Sequence, residues 1–485
     1  MVRSLLEGLN TGDKTVDLII RVRELPTELN ELFSVMLGRV NPRHRAQAFR
    51  LLHITQQLLP HVQDTGVLAI VLSYAEEYGY TTKALPERGR IPLAELKDRQ
   101  QDIEVVVRSR CMGMLEVSSS NAPAGLVSEH DTAADSKELV TNFKVDYIHR
   151  TVVECLDDMD IQVRVAETSM PTFDVNVAIL NALVITCWHG VYPHVLEMFS
   201  HFNRQAEQST KKAQSTAVNE LDIYMADCYT RNRLTVHPPL ESRHWTNYVD
   251  DFSRPFPWHD TILAFAIRCD WELYIVEKLK EHGNGLPAKR GRPLLDYAVC
   301  PEPQHSKYAY GMNPKIVECL LEHGADPNLE FNGYSAWSNA LYWISTNGLN
   351  AKLRRQGFAA HALQVLEVMK LLLAYGAAKR AYCTLGSVET SAAEVVRRLI
   401  SNLDEAFPQE VLDGLQEVLV IIEDDESDGG EVKQASAISN DGDGGNQIMA
   451  ASFAGPSRPE PQNTILPKNA SRSQRIKARL LKRRH

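Results

Sequence analysis

Apolar residues recur at helical spacing through the first hundred positions. Val16, Ile19, Ile20 and Val22 share one face. After the break at Leu25-Pro26-Thr27-Glu28, Leu29, Leu32, Phe33 and Met36 share another. Pro42 opens a further helix with Ala46, Phe49, Leu51 and Leu52 turned inward, and Val67 to Tyr78 and Leu93 to Arg108 read as two more, with a loop over Thr81 to Pro92. The period then shortens. RSRCMGMLEV, Arg108 to Val117, reads as a strand carrying Cys111, Met114, Leu115 and Val117. In KVDYIHRTVVECL, Lys144 to Leu156, Val145 and Tyr147 alternate with Asp146 before helical spacing takes over at Val152, Val153 and Leu156. The small, polar stretch between them, VSSSNAPAGLVSEHDTAADSKEL, predicts a long exposed loop.

Beyond Asp157 the pattern stays helical. Val175 to Trp188 is apolar throughout, Val195 to Phe202 has helical spacing, Gln205 to Ala217 reads as a polar link, and Val218 to Arg233 as a helix with Leu221, Tyr224 and Met225 on one side. His237 to Asp260, rich in Pro, His and aromatic residues, predicts a packed connector. From Asp260 a repeating unit sets in. DTILAFAIRCDWELYIVEKLKEHGNG pairs two helices before a glycine turn, KRGRPLLDYAV restarts the unit at Lys289, and NPKIVECLLEHGADPNLE, Asn313 to Glu330, closes it. NGYSAWSNALYWI restarts at Asn332, and VLEVMKLLLAYGAAKR closes at Arg380. These phrases resemble ankyrin repeats, the sharpest being V-x-x-L-L-x-x-G-A-D-x-N. The restart glycines Gly291 and Gly333 stand 42 residues apart, and Gly283, Gly324 and Gly376 stand 41 and 52 apart. An uninterrupted repeat has about 33 residues. The excess falls in Cys300 to Gly311 and Ser345 to Ala360, so insertions are expected there. The resemblance implies helix C-caps at Gly324 and Gly376 and an inter-repeat core of Leu320, Leu321, Leu372 and Leu373.

Two strands, a variable loop and a following helix, with helices upstream, make a winged-helix-like unit. The phrases MLEV and VDYIHRT, on either side of the loop, look like the region after the nucleotide-binding domain of fungal NACHT-type STAND NTPases. LLEGLNTGDK…LLHI, Leu5 to Ile54, resembles the helical arm that follows their ATPase core. That core has no counterpart among these residues, so a truncated gene model of a STAND NTPase is one expectation. The fold class expected is mainly α. The expected divisions are a helical arm over 1–107, a winged-helix-like hairpin and helix over 108–165 and a helical connector over 166–259. Degenerate ankyrin-like repeats over 260–400, a capping helix over 401–422 and an acidic, then basic, disordered tail over 423–485 follow.

Composition narrows the function. A net charge of -10 over 485 residues argues against a generic nucleic-acid or membrane binder. No run is long enough to span a bilayer, and Met1 to Lys14 lacks a signal-peptide core. The eight cysteines are scattered singly, without a C-x-x-C pair, as expected of reduced core thiols inside a cell, cytoplasmic or nuclear. No metal site is expected, because His237, His244 and His259 show no ligand spacing. GLNTGDKT, Gly8 to Thr15, fails as a P-loop. Its glycines are one residue too close, and Asp13 would repel phosphate. It suits a turn.

His149 has two readings. The STAND resemblance implies a nucleotide-sensing contact, which here needs a nucleotide-binding core in another chain; otherwise it caps or packs the helix start. Arg290-Gly291-Arg292-Pro293 resembles a minor-groove hook, but the Leu294, Leu295 and Tyr297 that follow favour a repeat start. Glu423 to Gln447 is acidic and Gly/Ser-rich, with Ser427 a candidate phosphorylation site. Eight of the last 18 residues are Lys or Arg, and Lys477, Arg479, Lys482, Arg483 and Arg484 form a candidate nuclear-localisation cluster. No catalytic constellation or cofactor motif emerges. The expectation is a non-catalytic scaffold that binds other proteins through its repeats. The alternative is a nuclear DNA-associated regulator using the winged helix, the RGRP segment and the basic tail.

Overall fold

A computed structural model describes residues 10–23, 29–62, 67–79, 85, 92–119, 143–158, 173–188, 195–236, 261–283, 285–289, 291–300, 312–348, 358–385, 388–402 and 408–424. All fall in one compact unit, Met1–Gly429. The fold is mainly helical, as the periodicity predicts.

The first half is built around one apolar helix. α1 (Thr15–Arg23), α2 (Leu29–Gly38) and α3 (Pro42–Val62) lead into a short strand, β1 (Val67–Leu68), then α4 (Ala69–Tyr78) and α5 (Leu93–Arg110). The hairpin strands β2 (Leu115–Ser119) and β3 (Phe143–Tyr147) follow, then α6 (Arg150–Asp158) and α7 (Val175–Cys187). Every residue of α7 from Val177 to Cys187 is buried. A helix apolar on all sides belongs in a core, and α7 packs against α3, α4, α8 (Val195–Thr210) and α9 (Ser215–Val236). Each such buried aliphatic side chain contributes about 1.5–3 kcal/mol relative to exposure. Asp174 caps α7, accepting from the backbone N–H groups of Asn176 and Val177 at 2.9 and 3.0 Å. Asn181, buried at mid-helix, donates to the Tyr78 carbonyl at 2.9 Å.

The hairpin is antiparallel as expected, with Val117 opposite Val145, but its borders differ from the sequence reading. Residues 108–110 finish α5, Cys111 to Met114 make a turn through Met112 and Gly113 at positive φ, and the strand starts only at Leu115. Val67 and Leu68 open no helix. They pair with Val145 and Lys144, giving a three-stranded sheet of order β1-β3-β2. The predicted polar link over Gln205 to Ala217 shrinks to residues 211–214, because α8 runs on to Thr210 with Ala206 and Glu207 buried.

The second half is a stack of helix pairs. These are α10 (Ile262–Arg268) with α11 (Glu272–His282), α12 (Leu294–Val299) with α13 (Pro314–Glu322), α14 (Ala336–Trp343) with α15 (Phe358–Ala374), and α16 (Ala392–Asn402) with α17 (Gln409–Glu423). First helices pack on first helices, α10 on α12 on α14 on α16, and second on second, α11 on α13 on α15 on α17. Small hairpins precede α14 (β4, Glu330–Phe331; β5, Tyr334–Ser335) and α16 (β6, Tyr382–Leu385; β7, Val388–Ser391). The two expected glycine caps are present. Gly324 and Gly376 both have φ of 86°. Around them Ala325 N–H donates to the Leu320 carbonyl at 3.0 Å and Ala377 N–H to the Leu372 carbonyl at 2.9 Å, two copies of one C-cap. Leu320, Leu321, Leu372 and Leu373 are buried in the core, as expected. α17 begins at Gln409, later than the expected capping helix.

Candidate functional site

The hairpins that precede α14 and α16 lie side by side on one edge of the stack. Asn328, ahead of β4, ties them: its side-chain N–H donates to the Gly376 carbonyl and its oxygen accepts from Ala378 N–H, both at 2.8 Å. Trp337 is fully buried and donates to the Ala378 carbonyl at 3.1 Å. The Tyr334 hydroxyl lies 3.4 Å from the Thr384 hydroxyl. The turn between β4 and β5 passes through Asn332 and Gly333 at positive φ, which fixes where Tyr334 emerges.

Large apolar side chains are left in solvent on these hairpins and beside them. Tyr382 is 58% exposed and Val388 56%; Leu329, Tyr334 and, on α14, Tyr342 are also exposed. Strand alternation explains the pairing of faces on β6 and β7. Cys383 and its partner Thr390 turn inward, while Tyr382, Thr384 and Glu389 turn outward; Val388 shares the face of Thr390 but is exposed at the turn end of β7. Tyrosine is among the residue types enriched at the anchoring positions of protein interfaces. The sequence reading missed these exposed side chains, since repeat motifs mark the buried positions. The available signal was a tyrosine just after the restart at Asn332 and another just after the close at Arg380, Tyr334 and Tyr382.

His149 is placed at the strand-to-helix turn as expected, with its Nδ1 turned to the start of α6. The backbone N–H of Thr151 donates to its Nδ1 at 3.2 Å, and the Thr151 hydroxyl lies 2.9 Å from the same nitrogen. A ring nitrogen that accepts at the start of α6 caps the helix, with the ring itself exposed. Behind it, Ile148 N–H is held by the Met114 carbonyl at 3.1 Å and the Tyr147 hydroxyl donates to the Leu52 carbonyl at 2.8 Å.

Of the RGRP segment, Arg290 lies outside the described residues, and Gly291 to Pro293 lead directly into α12. Arg292 is 5% exposed and its Nε donates to Asp296 at 2.6 Å. Its Nη2 donates to the carbonyls of Asp296 and Cys300 at 3.1 and 2.8 Å, and its guanidinium lies over the Tyr297 ring. Asp296 also accepts from Asn339 of α14 at 2.9 Å, so the cluster joins two helix pairs. A minor-groove hook needs this arginine in solvent, whereas here it is buried.

The described cysteines, Cys111, Cys155, Cys187, Cys269, Cys300, Cys319 and Cys383, form no disulfide among themselves and are all buried except the half-buried Cys300. Burial pushes the Cys111 thiol up to about 12, with the Arg110 charge opposing. Among the described residues no helix is long and apolar enough to cross a membrane. Ser427, Lys477, Arg479, Lys482, Arg483, Arg484, the histidine-rich stretch 237–260 and most of the loop before β3 lie outside the described residues.

The match to known families falls on the other half of the molecule. Residues 39–189 match the family described as a domain of unknown function, DUF7791. The DUF7791 segment starts three residues before α3 and ends two after α7. It therefore takes in the three-stranded sheet and the apolar helix as one unit, across the expected divisions at 107 and 165. No curated protein and no solved structure matches the chain.

Proposed function

We propose that the protein is a non-catalytic scaffold that docks other proteins on the hairpin edge of its helix-pair stack. The observation that carries this reading is the exposure of Tyr334, Tyr382 and Val388 on hairpins that are otherwise tied into the stack. The paired helices, the repeated glycine caps and the hairpins before α14 and α16 support an ankyrin-like assignment of residues 260–400. The order α3-β1-α4-α5-β2-β3, with sheet order β1-β3-β2, supports a winged-helix assignment of the DUF7791 segment. Together with the MLEV and VDYIHRT phrases, both fit the regulatory and repeat regions of a fungal NACHT-type STAND protein, acting beside a nucleotide-binding chain or upstream core.

The DNA-associated alternative has less support. Arg292 is committed to the core, and the exposed positions of α5 carry Glu95, Asp98 and Asp102 against Lys97 and Arg108. A surface that meets phosphate needs the opposite balance.

The test is affinity capture with the full chain as bait, comparing wild type with the double variant Tyr334→Arg, Tyr382→Arg. Both side chains are exposed, so the variant should fold. Loss of a specific protein partner by at least about tenfold, as expected when two aromatic anchors are replaced by charge, supports the reading. Partners retained at wild-type levels by the folded variant would refute the hairpin edge as the docking site.

A further inference from the structure

Where the stack meets the helices before it, buried polar groups sit among the apolar ones. Ser200, Asn203 and Glu207 fall on one face of α8, and all three are buried. Among the described residues, the Ser200 hydroxyl and both polar atoms of the Asn203 side chain have no hydrogen-bond partner. At one end Trp271 meets Phe199 with ring centroids 5.7 Å apart and donates to the Ser200 carbonyl at 3.4 Å. At the other end, Glu207 reaches across to the start of α11. Its two oxygens accept from the backbone N–H groups of Leu273 and Tyr274 at 3.0 and 2.9 Å. An interface that leaves buried polar groups unmatched is poorer in free energy than the apolar contacts on either side of it.

Two further carboxylates crowd the same helix start. Asp270 sits at a left-handed φ of 59° and accepts from Asn313 of the next pair at 2.6 Å. Glu272 lies 3.2 Å from Lys315 on α13, and Arg204 of α8 lies 3.7 Å from Asp270. Both cations thus face Asp270 or Glu272, while Glu207 relies on backbone N–H groups. We propose that the α8–α11 contact is a proton-operated latch, which holds when the Glu207 carboxyl carries a proton and loosens when it ionises.

The sign follows from the surroundings. Burial pushes Glu207 up to about 7; the bonds from Leu273 and Tyr274 pull it down, and the charges of Glu272 and Asp270 push it up again. Once the contact opens, the carboxyl returns to its ordinary 4.5. The closed form then binds the extra proton, so the contact is strongest at low pH and weakens as pH rises between these two values. Linkage puts the rise in the opening constant at about tenfold from pH 6 to pH 8. The latch operates whatever the hairpin edge binds, and it is measured without a partner.

Hydrogen exchange of the full chain reads it out in the peptide covering residues 270–282, at about pH 6 and about pH 8, corrected for the intrinsic chemical rate. The expected result is about a tenfold loss of protection at the higher pH in wild type, with no change in Glu207→Gln. A flat wild type, or a slope that survives in Glu207→Gln, overturns the proposal. Should that variant fail to fold, Glu272→Gln removes a neighbouring charge from the partly exposed side of the cluster. It should move the wild-type midpoint to lower pH, and an unmoved midpoint overturns the proposal equally.

Discussion

Arg292 and His53 show how much single buried polar groups decide. The Arg292–Asp296 pair is almost wholly out of solvent and hydrogen-bonded on both sides, with Asn339 completing the carboxylate. Removing one partner strands the other charge in the core. Arg292→Ala should therefore cost about 3–5 kcal/mol in urea unfolding. His53, on α3, is buried, and neither ring nitrogen has a partner among the described residues. Burial lowers it from 6.5 to about 4, against the pull of the Asp174 charge. The unfolded chain therefore binds a proton that the fold refuses. Stability is full above about pH 6.5 and falls by roughly 3 kcal/mol as pH drops to about 4. In His53→Leu that part of the acid slope should vanish from chemical-denaturation midpoints taken across the range. Neither role was visible in the chain itself. A histidine inside an apolar helix has no sequence mark of its burial, and Arg292 spells a DNA-binding word whose meaning only its surroundings decide.

Helices and their ends were the most legible feature, because their causes are local. The apolar run of α7, the proline that opens α3 and the glycines after α13 and α15 all act within a few residues of where they stand. Gly324→Ala forces a side chain into the left-handed region and should cost about 1 kcal/mol, read as a lowered thermal midpoint. Gly79 follows a different rule, which no local pattern reveals. A Cβ there would sit 2.2 Å from the Phe173 ring, where the chain ahead of α7 crosses the end of α4. Gly79→Ala should cost about 1–3 kcal/mol by overpacking. Strand borders were less legible for the same physical reason. Val67 and Leu68 become a strand only because β3, nearly eighty residues away, offers an open edge, and Arg108 to Arg110 stay helical because α5 packs on α3 and α4. The hairpin edge was hidden too. Its exposed tyrosines are defined by which side of a short ladder faces the core, and that register is a tertiary fact.

In the molecule as a whole, an apolar-cored unit bearing the DUF7791 match is joined to a stack of helix pairs through a polar contact. The stack gains its stability from neighbours, so its edge can remain free for a partner. Among the exposed surfaces open to that role are the hairpin edge with Tyr334 and Tyr382 and the outer face of α5 with Val105, itself 65% exposed. A photoreactive amino acid placed singly at Tyr382 or at Val105 of the full chain separates them. Docking on the stack predicts a discrete protein adduct from position 382 under native conditions and none from 105. An adduct, whether protein or nucleic acid, formed from position 105 while 382 stays silent would contradict it.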